Sequence, residues 1–182
     1  MSRRKNFAAV LEAARTGEEW AWKAPYAAHA PALLGYLRAR RAAQPDDLLG
    51  EVMLQIVRDL QSFDGGERDF RAWVFTIAHH RLLDERRRSA RRPAEPVPTV
   101  QLERLGPRGD TEEDANRALT AERVGRLSAR LSEDQRNVIL LRVLGDLTCE
   151  EVAGVVGKTS GAVKALQRRG FEAIKHELRA SA

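Results

Sequence analysis

The sequence is poor in cysteine, in aromatic residues and in long apolar runs, and each shortage narrows what the chain can be. It holds a single cysteine, Cys149, among 182 residues. That excludes an intramolecular disulfide and any zinc site built on cysteines. Aromatics make up only 5%, so a core must be largely aliphatic. No apolar run approaches the roughly 18 residues of a membrane span. FAAVLEAARTGEEW, behind Arg3, Arg4 and Lys5, is amphipathic and broken by acids, unlike the apolar stretch of a secretory signal. A cytoplasmic protein without membrane insertion is therefore expected, with Cys149 as a small filler at a helix start. The glycine-lysine pattern of a P-loop is missing. His79, His80 and Asp84 are the one hint of a metal site, and no further ligand cluster completes them. No catalytic residue, metal or cofactor is predicted. Strand-like alternation is almost absent as well.

What the chain does have is charge, unevenly placed. The net charge is +5, which suits an anionic partner. From Arg81 to Arg92 there are six arginines against Asp84 and Glu85, whereas six acids stand against Arg104 and Arg108 between Pro93 and Ala115. Such segregation is expected where different stretches meet different partners. The second of these stretches, PAEPVPTVQLERLGPRGDTEED, also carries four of the seven prolines, and reads as an extended, flexible acidic linker.

Helical periodicity fills the rest. Phe7, Val10, Leu11 and Ala14 share one face of a first helix ending before Gly17. A second begins near Glu18 and is expected to break at Pro25 or Pro31 and then resume. Asp46 or Asp47 is placed to cap a third, with Leu48, Val52, Ile56 and Leu60 at i, i+4 intervals. QSFDGGERD is a loop, with Asp69 available as a cap. A long fourth helix, from Phe70 to about Arg88, carries the stripe Trp73, Val74, Ile77 and Leu83, with Trp73 assigned to the core. Beyond the linker, helices are expected from Ala115 to Leu131 and from Ser132, in a capping box with Gln135, to Leu144. The fold class predicted is all-α: a four-helix domain over residues 1–92, a linker over 93–114, and a second helical domain over 115–182.

The most informative stretch is TCEEVAGVVGKTSGAVKALQRR, residues 148 to 169. Ala153 lets two helices approach closely, and Gly157 suits a sharp turn because glycine tolerates positive φ. Val163 seals the second helix on the first, aided by Val152, Val156 and Leu166. Thr148 with Glu151 forms a capping box, and Thr159 is placed to cap the second helix. Lys164, Gln167, Arg168 and Arg169 then point outward, as side chains suited to base edges and phosphates. This is the pattern of a DNA-reading helix-turn-helix. Lys158 departs from it, since an apolar residue usually follows the turn glycine.

With these residues in view, a family resemblance emerges. QPDDLLGEVMLQIVRDLQSFDGGERDFRAWVFTIAHHRLLDERRR is similar to region 2 of bacterial sigma factors of the extracytoplasmic-function class, within the sigma-70 family. LSEDQRNVILLRVLGDLTCEEVAGVVGKTSGAVKALQRR resembles their region 4. The resemblance implies a subunit that directs RNA polymerase core to promoter DNA and assists opening of the duplex, rather than an enzyme in its own right. It implies that Asp47 and Glu51, with Leu48 and Val52 on an adjoining apolar face, contact the polymerase clamp. Gly50 stands where the family often has a polar residue. It further implies that the loop from Gln61 to Asp69 captures a flipped base of the minus-ten element, with two readings open for Phe63: stacking in the pocket or stapling the turn. His80 takes the place of a base-reading asparagine, and Arg81, Arg87, Arg88, Arg91 and Arg92 grip phosphates. In region 4, Thr159, Ser160, Lys164, Gln167 and Arg168 face the minus-thirty-five element, with Ala162 and Ala165 beside them. Val138, Leu141 and Leu144 mix core packing with a polymerase flap contact. The linker is implied to follow the RNA path, and an anti-sigma factor is a further implied partner. The competing reading is a stand-alone DNA-binding regulator, which leaves the DDLLGEVML and FRAW helices without a purpose.

Overall fold

The computed structural model describes residues 2–91 and 131–180, with no side-chain detail for 2–6, 24 and 180. The expected linker, the helix from Ala115 and the phosphate role of Arg92 lie outside the described residues. The described residues contain helices and no strand. The first half is α1 (Ser2–Arg15), α2 (Glu19–Ala39), α3 (Pro45–Asp59), a short 3-10 turn (Leu60–Ser62) and α4 (Glu67–Arg91). The second half is α5 (Glu133–Val143), α6 (Cys149–Val156) and α7 (Ser160–Ala180).

Two expectations fail in the first half, for physical reasons. The helix α2 runs unbroken through Pro25 and Pro31. Each proline removes one ladder hydrogen bond, but Ala21, Ala30, Leu33, Leu34, Tyr36 and Leu37 are buried along the helix, and this packing outweighs the local loss. His29 Nδ1–H donates to the Pro25 carbonyl at 2.8 Å, anchoring the segment between the prolines. Neither Asp46 nor Asp47 caps α3. Its N-cap is Gln44, without a side-chain cap bond, and Pro45 opens the helix where its missing N–H costs nothing. Asp46 instead pairs with Arg38 at 3.2 Å.

The helix α4 starts one turn earlier than its apolar stripe suggests, because the Asp69 carboxylate accepts the Gly66 N–H at 2.8 Å. It is the central element, with Phe70, Val74, Phe75, Ala78, His79 and Leu82 buried. Trp73 packs partly buried against this core, its ring centroid 4.9 Å from that of Phe63. The few aromatics are concentrated here: Phe63 and Phe70 meet edge-on at 5.4 Å, and Tyr36 meets Phe75 at 5.8 Å.

The second half follows its sequence signals closely. Both capping boxes form, Ser132 with Gln135 on α5 and Thr148 with Glu151 on α6. Gly157 ends α6 in the left-handed conformation, φ 65°. Lys158 N–H bonds back to the Ala153 carbonyl at 3.1 Å, closing the turn. Val138, Leu140, Leu141, Val152, Ala153, Val155 and Val163 fill the interior. A side chain at Gly170 would begin 3.0 Å from Ile139 Cγ1, so glycine allows α7 to lie close on α5.

Candidate nucleic-acid interface

In the second half, the turn built by Gly157 sets α7 across α6, and the cap bond from Ala162 N–H to Thr159 Oγ1 at 3.2 Å fixes where α7 begins. Ser160, Lys164 and Arg168 follow at i, i+4 intervals along one face, with Lys164 and Arg168 exposed. A Cβ at Gly161 would meet nothing within 4 Å, so the start of this face is open to close approach. Gln167 departs from the expectation. Its Oε1 accepts the Cys149 thiol at 3.1 Å, turning it toward α6 rather than outward. Cys149 is accordingly partly buried between the two helices.

One residue of this site escaped sequence reasoning. Glu150 Oε1 accepts from Ser160 Oγ at 3.0 Å and pairs with Lys164 Nζ at 3.2 Å. Its own backbone N–H, then the Ser160 hydroxyl and Lys164 ammonium, hold its carboxyl below the usual carboxylate range. Glu150 thus aligns two of the side chains expected to meet DNA. An acid in the first turn of a helix is ordinarily read as a dipole partner, so its reach to the next helix left no mark in the sequence. The irregular Lys158 is also explained, since it pairs with Asp134 at 3.0 Å across the domain.

The first half rearranges more of the expected site. Leu48 and Val52 are buried, 3% and 0% exposed. They hold α3 onto the core and are corrected from contact residues to supports. The exposed apolar side chains of α3 are Leu54 and Val57, which fall outside the expected set. Asp47 and Glu51 are exposed as expected. Phe63 points inward, 7% exposed, between Phe70 and Trp73, so of its two readings the turn staple matches this structure. Arg15 donates to its carbonyl and so ties α1 to the turn.

Three of the expected arginines of α4, Arg81, Arg87 and Arg88, are held in pairs without being buried. Glu51 Oε2 lies 3.7 Å from both Arg81 and Arg88, and Arg81 also donates to Gln55. Arg87 pairs with Asp84 at 3.1 Å, while Arg91 and His80 are exposed. The acid expected at the polymerase face and two arginines expected at DNA are therefore one cluster, shared by α3 and α4. His79 faces the other way, its Nδ1 sharing a hydrogen bond with the Tyr36 hydroxyl at 2.8 Å. Burial first, then Arg40, His80 and Arg86, lower its pKa to about 4. His79, His80 and Asp84 do not converge, and no group of three His, Cys, Asp or Glu side chains able to hold a metal occurs among the described residues.

Among the described residues, the helix-turn-helix and the arginine-bearing α4, joined by the Arg68–Glu151 pair at 2.7 Å, are the two features suited to nucleic acid. Comparison with known proteins agrees. Residues 25–92 match the family model for Sigma-70 region 2, and residues 129–176 match that for Sigma-70, region 4. The chain is 31% identical over 176 residues to the ECF RNA polymerase sigma factor SigD of Mycobacterium tuberculosis, covering 93% of this chain and 82% of that protein. It is 32% identical over 158 residues to the ECF RNA polymerase sigma factor ShbA of Streptomyces griseus, covering 80% and 81% respectively. The solved structure of CnrH in complex with the cytosolic domain of CnrY shares the fold, with a TM-score of 0.67 over 97% of this chain and 99% of that one, at 23% identity. The chain belongs to the extracytoplasmic-function class of the sigma-70 family. Its role is that of an RNA polymerase sigma factor in transcription initiation, with polymerase core and promoter DNA as partners. No described helix is long and apolar enough to cross a membrane.

Proposed function

We propose that the two halves divide promoter reading between them, with residues 1–92 and 115–182 as the working domains and 93–114 as the tether. In this reading Asp47, Glu51, Leu54 and Val57 present the outer face of α3 to the polymerase clamp. His80, Arg81, Arg87, Arg88 and Arg91 line the α4 face toward the minus-ten element. Thr159, Ser160, Lys164 and Arg168 meet the minus-thirty-five element, while Gln167 positions α7 through Cys149. Duplex opening draws its free energy from these binding contacts, so the chain acts as a specificity subunit without chemistry of its own, in the cytoplasm where polymerase works.

The observation that carries the reading is the Ser160, Lys164, Arg168 row on the exposed face of α7, at the spacing of a recognition helix. An inhibitory protein partner, an anti-sigma factor, fits the same frame, since the structural neighbour CnrH is described in complex with the cytosolic domain of CnrY. The test is transcription of fragmented host genomic DNA by purified core polymerase, with and without this chain. New transcripts with discrete start sites sharing two upstream elements are expected. An active core that gains no start sites contradicts the proposal.

A further inference from the structure

The turn from Leu60 to Phe63, and the loop behind it, are fastened from a distant part of the chain. The fastening residue is Arg15, the last residue of α1. Its guanidinium donates to the Phe63 carbonyl and, through Nε–H at 3.4 Å, to the Leu60 carbonyl. In return, the Gln61 side-chain amide donates to the Arg15 carbonyl at 2.8 Å. That carbonyl lies at the C-terminal end of α1, where a helix supplies no partner of its own. The helix end and the turn thus satisfy each other's leftover backbone groups. Glu12, with Oε2 3.4 Å from Arg15 Nη1, steadies the guanidinium from within α1. The helix itself is fixed on the core, since Leu11 and Ala14 are buried and the Phe7 ring meets Phe70 at 5.6 Å.

The loop has a second anchor, the bond from Gly66 N–H to the Asp69 carboxylate at 2.8 Å. A Cβ on Gly65 would begin 2.8 Å from Asp69 Cβ and 2.9 Å from Phe63 Cζ, so the loop closes tightly over the Phe63 ring. Asp64 and Gly65 form the exposed tip between the two anchors. The Asp69 anchor is local, three residues from its partner. The Arg15 anchor comes from a helix that precedes residues 25–92, the stretch similar to Sigma-70 region 2. Without it, the turn would lose its hold at Leu60 and Phe63 while Asp69 kept only the far side. A loop free to readjust accommodates more than one ligand, whereas one held on both sides selects. Ordering a loose loop also counts against binding.

We propose that Arg15 is a positioning residue for minus-ten recognition: from α1 it sets the backbone of the loop from Gln61 to Asp69, and with it the selectivity for the base that this loop receives. The inference rests on the division of labour proposed above, with that loop as the base-receiving segment. Arg15 touches no nucleotide in this role and acts through the Leu60 and Phe63 carbonyls. A lysine would keep the charge but not the planar fork that spans two acceptors, so it replaces Arg15 in part.

The test is run-off transcription by core polymerase with the full chain, on promoter pairs that differ by one base at a single minus-ten or minus-thirty-five position. Wild type should favour the better promoter by roughly fivefold to 150-fold, the usual range for one mismatched position. At the minus-ten position of strongest preference, Arg15→Ala should lower that ratio about threefold to tenfold, toward no preference. Arg15→Lys should fall between the two, and ratios at the minus-thirty-five element should stay as in wild type. Loss of folded protein lowers every transcript alike, so a merely structural role of Arg15 leaves all ratios unchanged. Hydrogen exchange on the full chain gives a second readout: amides of residues 61–69 should exchange faster in Arg15→Ala while those of α4 beyond Phe70 keep their protection. Unchanged minus-ten ratios, an equal fall at both elements, or unchanged exchange in the loop overturns the proposal. If Arg15→Ala does not fold, Arg15→Lys decides: an intermediate ratio supports the role and a wild-type ratio overturns it. Wild type without preference at any minus-ten position contradicts the underlying promoter reading, whereas a preference that survives in Arg15→Ala contradicts the role of Arg15 alone.

Discussion

The two halves of this chain present their functional side chains in opposite ways. In the second half, the candidate DNA residues stand on a helix whose position is set within a short stretch of sequence: Thr148 and Thr159 cap, Gly157 turns, Val163 seals. In the first half, the candidates are distributed over α3, the turn and α4, and several are committed to one another. Glu51 is shared by Arg81 and Arg88, Arg87 is paired with Asp84, and Phe63 is locked between Phe70 and Trp73. The contrast teaches that a reading surface made by one local motif is positioned within that motif, with Ser160 and Lys164 aligned by Glu150 of the adjoining helix. One assembled from three elements is held by internal pairs that a partner must exchange for its own.

The largest expected effect tests Phe63. As a buried member of the aromatic cluster, Phe63→Ala should cost about 3–5 kcal/mol of stability, measured by denaturant unfolding. A change under about 0.5 kcal/mol, typical of a surface residue, would return Phe63 to the exposed face and remove the contrast between the halves.

Next comes acid sensitivity, which should belong to the first half. Burial and the neighbouring cations push the His79 imidazole down to about 4, from an ordinary value of 6.5. Between those values the unfolded chain binds the extra proton, so stability falls as pH drops from about 6.5 to about 4. The loss should be about 2–3 kcal/mol, given about 1.4 kcal/mol per pKa unit. Chemical unfolding across this range checks it, and His79→Gln should flatten the slope. Tyr36, whose hydroxyl is hydrogen-bonded to His79 and which burial pushes up to about 12, remains neutral throughout.

Arg168→Ala should weaken binding to a minus-thirty-five duplex by about 1–3 kcal/mol and leave the unfolding midpoint unchanged, because the side chain is exposed. Titration of the duplex beside a thermal melt separates the two quantities. Loss of stability without loss of affinity would move Arg168 from the reading face to the scaffold.

The smallest effect concerns Arg91. If it contacts one phosphate, Arg91→Ala should lower the slope of log affinity against log salt by about one, with no change of sequence preference. Holoenzyme binding measured over a salt series gives that slope directly. An unchanged slope would restrict phosphate contacts to the paired arginines.

Sequence reasoning went furthest where the determinants are local. Both capping boxes, the turn at Gly157 and the seal at Val163 were legible because each depends on residues a few positions apart. It fell short where tertiary packing decides. Pro25 and Pro31 are breakers by propensity, yet the buried face of α2 carries the helix through them. Leu48 and Val52 were correctly placed on one helical face, but periodicity cannot say whether an apolar face meets the core or a partner. Leu54 and Val57, outside that stripe, emerged only from their exposure. Glu150 was invisible for a related reason, since an acid at a helix start looks the same whether it serves its own dipole or a neighbouring helix.

In the proposed division of labour, α7 reads the upstream element while the first half reads the downstream one. Selection from a promoter pool randomised at both elements, using core polymerase with wild type or with Ser160→Ala, Lys164→Ala and Arg168→Ala, tests this most directly. Preferences are predicted to change at the minus-thirty-five element and to stay fixed at the minus-ten element. Altered preference at the minus-ten element, or unaltered preference at both, would contradict the assignment.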